Sequence, residues 1–222
     1  ARDSWGCHEE VQWLANRGYA VLQVNYRGSI GFGKTFTNAG DREWGGKMQE
    51  DLLDAVDWAV EKGVADPRRV AVLGGSYGGY AVLAGLAFTP DRFACGVDIV
   101  GPSSLLTLLE TMPPYWKPWE SVFFKRVGHP ERDEEFLRSR SPLFKADCID
   151  RPLLIAQGAN DPRVKRAESL QIVEALRKRG KIVEYVEYAD EGHGFVRPEN
   201  RLDFYMKAEK FLATHIGGRY QE

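Results

Sequence analysis

Gly74-Gly75-Ser76-Tyr77-Gly78-Gly79 sets one hydroxyl among glycines, between a short hydrophobic run, Arg69 to Leu73, and an apolar, alanine-rich run, Ala81 to Ala87. The first run reads as a buried strand and the second as a helix, so Ser76 falls in the turn that joins them. Gly74, Ser76 and Gly78 fill the G-x-S-x-G pattern of a nucleophile elbow, where a strained backbone pushes the serine oxygen outwards and small neighbours let strand and helix approach. The amide of Tyr77, at the helix N-terminus, would then point at a developing oxyanion, a donor typically worth ~3 kcal/mol of barrier. Glycine-rich turns of this kind also bind phosphate, and the five-residue pattern alone does not decide between the two. An elbow makes a further demand: an acid and then a histidine downstream, each on a loop after a strand.

Upstream of the elbow, Cys7, Val11, Leu14 and Ala15 share one helical face that Gly18 would end, and Tyr19 to Tyr26 alternates into a β-branched strand. Arg27-Gly28-Ser29-Ile30-Gly31-Phe32-Gly33 is too glycine-rich for regular structure and predicts a loop passing close to other backbone; a phosphate cradle is the alternative, though no Lys-Ser/Thr closes the motif. Met48, Leu52, Ala55, Val56, Ala59 and Val60 make a second amphipathic helix, stopped at Gly63. Helix and strand in alternation imply parallel strands joined by right-handed crossovers, an α/β fold with a mostly parallel sheet flanked by helices.

Downstream, Ala94 to Val100 is another buried strand, after which the alternation breaks until about Asp150. Met112-Pro113-Pro114-Tyr115-Trp116-Lys117-Pro118-Trp119 lies in this insertion, about 101–150. Trp116, Trp119 and Phe123 either wall a substrate pocket or form a flap over the core. Regularity resumes with a strand from Leu153 to Gln157, which delivers Asp161 at its C-terminal end, where open α/β sheets assemble ligand sites. Asp161 could equally cap the helix of residues 165–179. A strand from Ile182 to Tyr188 leads to Asp190-Glu191-Gly192-His193-Gly194-Phe195 and then to a helix from Pro198 to about His215.

Of the four histidines, His8 falls in the first helix, His129 in the insertion and His215 near the end of the last helix. His193 alone follows Asp161 on a glycine-flanked loop beyond a strand. Ser76, Asp161 and His193 thus stand in the order the elbow requires. The chemistry expected is acyl transfer: His193 takes the Ser76 proton during attack on a carbonyl and returns it to the leaving group, while Asp161 holds the imidazole tautomer. An acyl-enzyme forms and water releases it, with no metal or organic cofactor required.

The chain has 222 residues, 43% hydrophobic and 28% charged, which suits a single domain with a substantial core rather than disorder. Lys plus Arg number 30 against 32 for Asp plus Glu, so the balance points to neither nucleic acid nor an anionic membrane as partner. No apolar run reaches the length of about 18 residues that a membrane span needs. Cys7, Cys95 and Cys148 are odd in number and lack metal spacing, which suggests free thiols in a reducing, cytoplasmic compartment.

Gly74-Gly75-Ser76-Tyr77-Gly78-Gly79-Tyr80, with Asn25-Tyr26-Arg27-Gly28-Ser29 upstream and Glu191-Gly192-His193-Gly194-Phe195 downstream, resembles the catalytic domain of the prolyl oligopeptidase family of serine peptidases. Gly158-Ala159-Asn160-Asp161-Pro162-Arg163-Val164 looks most like its acylaminoacyl-peptidase branch. The resemblance covers nearly the whole chain and implies an α/β-hydrolase fold acting on short peptides. It implies that Arg163 binds a substrate backbone carbonyl, for which a five-donor guanidinium is suited, and that Val164 lines the pocket for the residue before the scissile bond.

Two parts of the family pattern have no counterpart in this sequence: an N-terminal β-propeller, and a strand ending in a His-Gly-Gly-Pro type loop that supplies a second oxyanion donor. In the hydrolase fold that strand lies between the strand of residues 19–26 and the elbow strand. The expectation is therefore a catalytic domain, residues 1–222, partnered by the N-terminal part of a longer peptidase. A carboxylesterase or thioesterase would use the same three groups without Arg163, and a non-catalytic binding module could keep the fold without the chemistry.

Overall fold

The computed structural model describes residues 1–221. Helices α1 (Glu9–Asn16), α2 (Lys34–Asn38) and α3 (Lys47–Glu61) precede strand β1 (Ala71–Gly75) and helix α4 (Tyr77–Phe88). Strand β2 (Cys95–Ile99) is followed by three short helices, α5 (Leu105–Glu110), α6 (Glu120–Arg126) and α7 (Glu134–Ser139). Strand β3 (Leu153–Gly158), helix α8 (Arg166–Arg177), strand β4 (Val183–Tyr188) and helix α9 (Pro198–Ile216) complete the chain. The strands form one parallel sheet in the order β1-β2-β3-β4, with Ala71 opposite Cys95, Gly96 opposite Leu153 and Leu153 opposite Val183.

Side chains alternate across a strand, so the central strand β3 feeds two cores. Leu153 and Ile155 of β3 join Val82, Leu83, Leu86, Ile172 and Leu176 beneath α4 and α8, with Leu53 and Val56 of α3 at the margin. Leu154 and Ala156 point the other way, onto Phe204, Ala208 and Leu212 of α9, with Trp13 and Leu14 of α1 beside them. Each fully buried leucine of these cores contributes roughly 1.5 to 3 kcal/mol relative to exposure. α4 is apolar all round because it is enclosed: every residue from Gly79 to Ala87 is buried. The elbow therefore stands at the start of a helix enclosed along most of its length.

The structure modifies several sequence expectations. Residues 19–26 form no ladder: β1 pairs with β2 alone and is an edge of the sheet, so the alternating pattern of Tyr19 to Tyr26 has no strand to bond. β1 begins at Ala71 because Asp66 closes a 3₁₀ turn over Pro67–Arg69, accepting a bond from the Arg68 amide. The insertion is helical rather than irregular. Ser141 Oγ accepts the Leu105 amide at 2.8 Å and donates to the Leu137 carbonyl at 2.7 Å, fastening α5 to α7. Buried Glu168 of α8 accepts the amides of Ser103 and Ser104, each at 2.9 Å, and the Thr107 hydroxyl, so the insertion is pinned at its root. His8 precedes α1 as its N-cap, and His129 lies half-buried against Phe124, 4.5 Å between ring centroids. The glycine loop does pass close to other backbone: a Cβ on Gly40 would fall 2.7 Å from Gly28 Cα.

Candidate active site

Because all four strands are parallel, their C-terminal ends share one rim. Ser76 follows β1 directly, Asp161 lies on the loop after β3, and His193 on the loop after β4. Ser76 adopts φ 58 and ψ −115, a region that non-glycine residues avoid. The glycines make this turn possible. A Cβ on Gly74 would fall 2.7 Å from the Gly78 carbonyl carbon, and one on Gly79 would fall 2.1 Å from Asp98 Oδ1 and 2.7 Å from Gly101 Cα. Gly79, outside the five-residue pattern, is thus as constrained as Gly74, whereas a Cβ on Gly78 would meet nothing within 4 Å.

Ser76 is the N-cap residue of α4, yet its side chain makes no capping bond. Its Oγ is instead 2.9 Å from His193 Nε2, and His193 Nδ1 is 2.7 Å from Asp161 Oδ2. The Asp161 side chain is wholly buried and that of His193 is 13% exposed, so the row runs from the interior to the surface. Asp161 Oδ1 accepts the amides of Arg163 at 2.8 Å and Val164 at 3.0 Å. Asp161 therefore shapes its own loop, while Lys165, not Asp161, is the N-cap of α8. With Nδ1–H donating to the carboxylate, Nε2 is left as an acceptor facing the serine hydroxyl. The Tyr77 amide, first in α4, has no intrahelical acceptor and is free to receive an anion.

The histidine loop is held by Glu191. Its carboxylate accepts the amides of Val196 at 3.1 Å and Arg197 at 2.8 Å and the Asn200 side-chain amide at 3.0 Å. Burial pushes this carboxyl up, but these donors outweigh it and hold it below the usual range. The Glu191 carbonyl accepts the Asn160 amide at 2.9 Å, coupling the aspartate and histidine loops.

Beneath the elbow, Asp98 of β2 is fully buried, and burial pushes its carboxyl up to about 7 against the lowering effect of the Gly101 amide. An acid inside the otherwise apolar strand Cys95–Ile99 was the sequence signal for this residue, and the elbow pattern gave no reason to connect it with Ser76.

The predicted pocket residues divide. Val164 is buried in a cluster with Leu105, Leu106 and Leu109, against which Tyr77 and Phe123 also pack. Trp116 stacks on Phe123 with centroids 4.9 Å apart, whereas Trp119 is 62% exposed and stands outside that cluster. Arg163 is exposed, and its backbone amide is bonded to Asp161 Oδ1. A cleft of about 500 Å³, lined among others by Tyr26, Trp44, Tyr77 and Arg126, opens beside the elbow. A second, of about 300 Å³, lies behind the histidine loop at Gly194 and Phe195. Among the described residues, no cluster of His, Cys, Asp and Glu has the form of a metal site, and no helix is long and apolar enough to cross a membrane.

Comparison with known proteins gives a consistent picture. The sequence profile described as "Prolyl oligopeptidase family" matches residues 5–219. The chain is 62% identical over 221 residues to dipeptidyl aminopeptidase BIII of Pseudoxanthomonas mexicana, covering 99% of this chain and 32% of that protein. It is 28% identical over 207 residues to the acylamino-acid-releasing enzyme of Arabidopsis thaliana, covering 88% of this chain and 26% of that one. A solved puromycin-hydrolysing peptidase of Mycobacterium tuberculosis superposes with a TM-score of 0.84 at 30% identity, over 90% of this chain and 30% of that one. The chain spans between about a quarter and a third of the length of the curated relatives it matches. Its sheet and flanking helices are those of an α/β-hydrolase catalytic domain.

Proposed function

The chain belongs to the prolyl oligopeptidase family, and from that premise we propose that it is the catalytic part of a serine peptidase that cleaves short peptides through an acyl-enzyme. The observation that carries this reading is the row Ser76 Oγ, His193 Nε2, His193 Nδ1, Asp161 Oδ2, with contacts of 2.9 and 2.7 Å. His193 removes the Ser76 proton as Oγ attacks the carbonyl, and the imidazolium formed is stabilised by Asp161. The Tyr77 amide receives the oxyanion. The tetrahedral intermediate collapses as His193 gives its proton to the leaving amine, and water, activated by the same ring, releases the acyl group.

Substrate is held by Arg163, whose guanidinium reaches a backbone carbonyl, and by an apolar pocket that includes Val164, Tyr77, Phe123 and Trp116. Trp119 has less support in this role because it stands apart from that cluster. The identity of 62% to a protein named as a dipeptidyl aminopeptidase, against 28% to an acylamino-acid-releasing enzyme, favours release of dipeptides over release of acylated residues.

These residues work as part of a longer polypeptide. β1 is an edge strand whose residues Ala71–Gly74 are only half-buried, while residues 19–26 form no ladder. An extended segment of the longer protein between them would complete the sheet and bring a second oxyanion donor. Unpaired interior backbone groups would otherwise cost roughly 1 to 3 kcal/mol each. The thiols of Cys7, Cys95 and Cys148 are free, in keeping with a reducing cytoplasm.

The test uses the full-length protein and two substrates, a dipeptidyl anilide and a p-nitrophenyl ester of a small acid. Arg163→Ala is expected to lower kcat/KM on the anilide by about ten-fold or more, the value of a charge-assisted hydrogen bond, and to leave the ester within about two-fold. Equal losses on both would favour an esterase.

A further inference from the structure

We propose that Asp98 is a positioning residue for the nucleophile, holding the turn after β2 in the shape that aims the Ile99 carbonyl at the Ser76 amide. The inference rests on the peptidase reading and deepens it. β2 ends at Ile99, and Val100 follows at φ 50, in the left-handed region where a β-branched side chain is strained. Ser76 is itself at φ 58. A single bond, Ser76 amide to Ile99 carbonyl at 2.8 Å, joins these two strained turns, so neither shape follows from the preference of its own residue.

Asp98 is what closes the second turn. Its Oδ1 accepts the Gly101 amide at 2.8 Å across Val100, while the Val100 amide is tied to the Ala156 carbonyl of β3 at 2.9 Å. The same oxygen fills the space between two backbones, since a Cβ on Gly79 would fall 2.1 Å from it and one on Gly101 2.4 Å. Asp98 Oδ2 is buried without a hydrogen-bond partner among the described residues, and the side chain has no solvent exposure. A half-satisfied carboxyl at this depth weakens the fold, so packing alone does not account for it. Its contacts run to the first turn of α4 and to the turn bonded to Ser76, which is where a brace for the elbow must act.

Removal of the acceptor frees Val100 to relax to an extended conformation and to carry the Ile99 carbonyl with it. Ser76 Oγ would then lose its 2.9 Å alignment with His193 Nε2. The groups that bind substrate are untouched, so the loss belongs in kcat and not in KM.

The experiment measures kcat and KM on a dipeptidyl anilide in the full-length protein for Ser76→Ala, Asp98→Ala, Asp98→Leu, Asp98→Asn and the double variant Asp98→Ala/Val100→Gly. Asp98→Ala and Asp98→Leu are each expected to lower kcat by about ten-fold or more with KM within about two-fold. Asp98→Asn, whose amide oxygen still accepts from Gly101, should stay within about three-fold of the parent. The double variant should recover at least about three-fold over Asp98→Ala, because glycine takes the left-handed region unaided. Asp98→Leu keeps the space filled and carries the test if Asp98→Ala does not fold. A parent-like kcat in either acceptor-free variant, a loss carried by KM, or an Asp98→Asn variant as impaired as Asp98→Ala would overturn the brace. Activity surviving in Ser76→Ala would instead overturn the peptidase reading beneath it.

Discussion

Asp161→Asn is the substitution that separates geometry from chemistry at this site. Asp161 Oδ1 accepts the amides of Arg163 and Val164 at 2.8 and 3.0 Å, and an asparagine oxygen can keep both bonds, so the loop holds its shape. The other atom changes sign. Where Oδ2 now accepts from His193 Nδ1 at 2.7 Å, an NH₂ group would donate, and the imidazole could meet it only with Nδ1 unprotonated. The ring proton then sits on Nε2 and points at Ser76 Oγ, 2.9 Å away, which removes the base from the nucleophile. The expected loss in kcat is on the order of 10⁴-fold, or about 5.5 kcal/mol of barrier, with KM little changed. The assay is steady-state cleavage of a dipeptidyl anilide by the full-length protein, with its melting temperature as control for the fold. A loss below about 30-fold in a protein of parental stability would show that the row is not the catalytic one.

Two further substitutions probe the support of the elbow. Gly79→Ala forces a Cβ to 2.1 Å from Asp98 Oδ1 and 2.7 Å from Gly101 Cα, a backbone clash that side-chain motion cannot relieve. It should cost roughly 1 to 3 kcal/mol of stability by denaturant unfolding and lower kcat with it; unchanged stability would mean the helix start is not tightly packed. Asp98→Asn should alter how stability depends on pH. A carboxyl raised from 3.8 to about 7 in the folded state binds its proton more tightly there than in the unfolded chain. Its burial is therefore tolerated below pH 3.8 and becomes increasingly destabilising as pH rises through that window to 7. The variant should gain stability over the parent across that interval, by a few kcal/mol at most, and run parallel to it above. A constant difference from pH 4 to 8 would contradict the burial of an ionisable group at this position.

Much of this arrangement was legible in the chain because each residue of the hydrogen-bonded row sits where local chemistry marks it. Ser76 is flagged by its glycines, His193 by its glycine-flanked loop, and Asp161 by following a short apolar run, Leu153 to Ala156. What stayed hidden depends on neighbours distant in sequence. Tyr19 to Tyr26 has the alternation of a strand, yet a strand exists only where a partner lies alongside, and no periodicity reports that. The helices of the insertion draw on tertiary support such as Ser141 beneath α5 and Glu168 beneath Ser103 and Ser104, so residues 101–150 show little amphipathic signal of their own. Asp98 and Glu191 act through backbone amides that only the folded turns bring within reach.

If Ser76 is a nucleophile activated by His193, it should react selectively with an electrophile that traps activated serines. The most direct measurement is reaction of the full-length protein with a fluorophosphonate, followed by peptide mass spectrometry to find the modified residue. A single adduct on Ser76, formed at least about a hundred-fold more slowly in His193→Ala, is predicted. No adduct, an adduct on another residue, or equal labelling in the two proteins would contradict it.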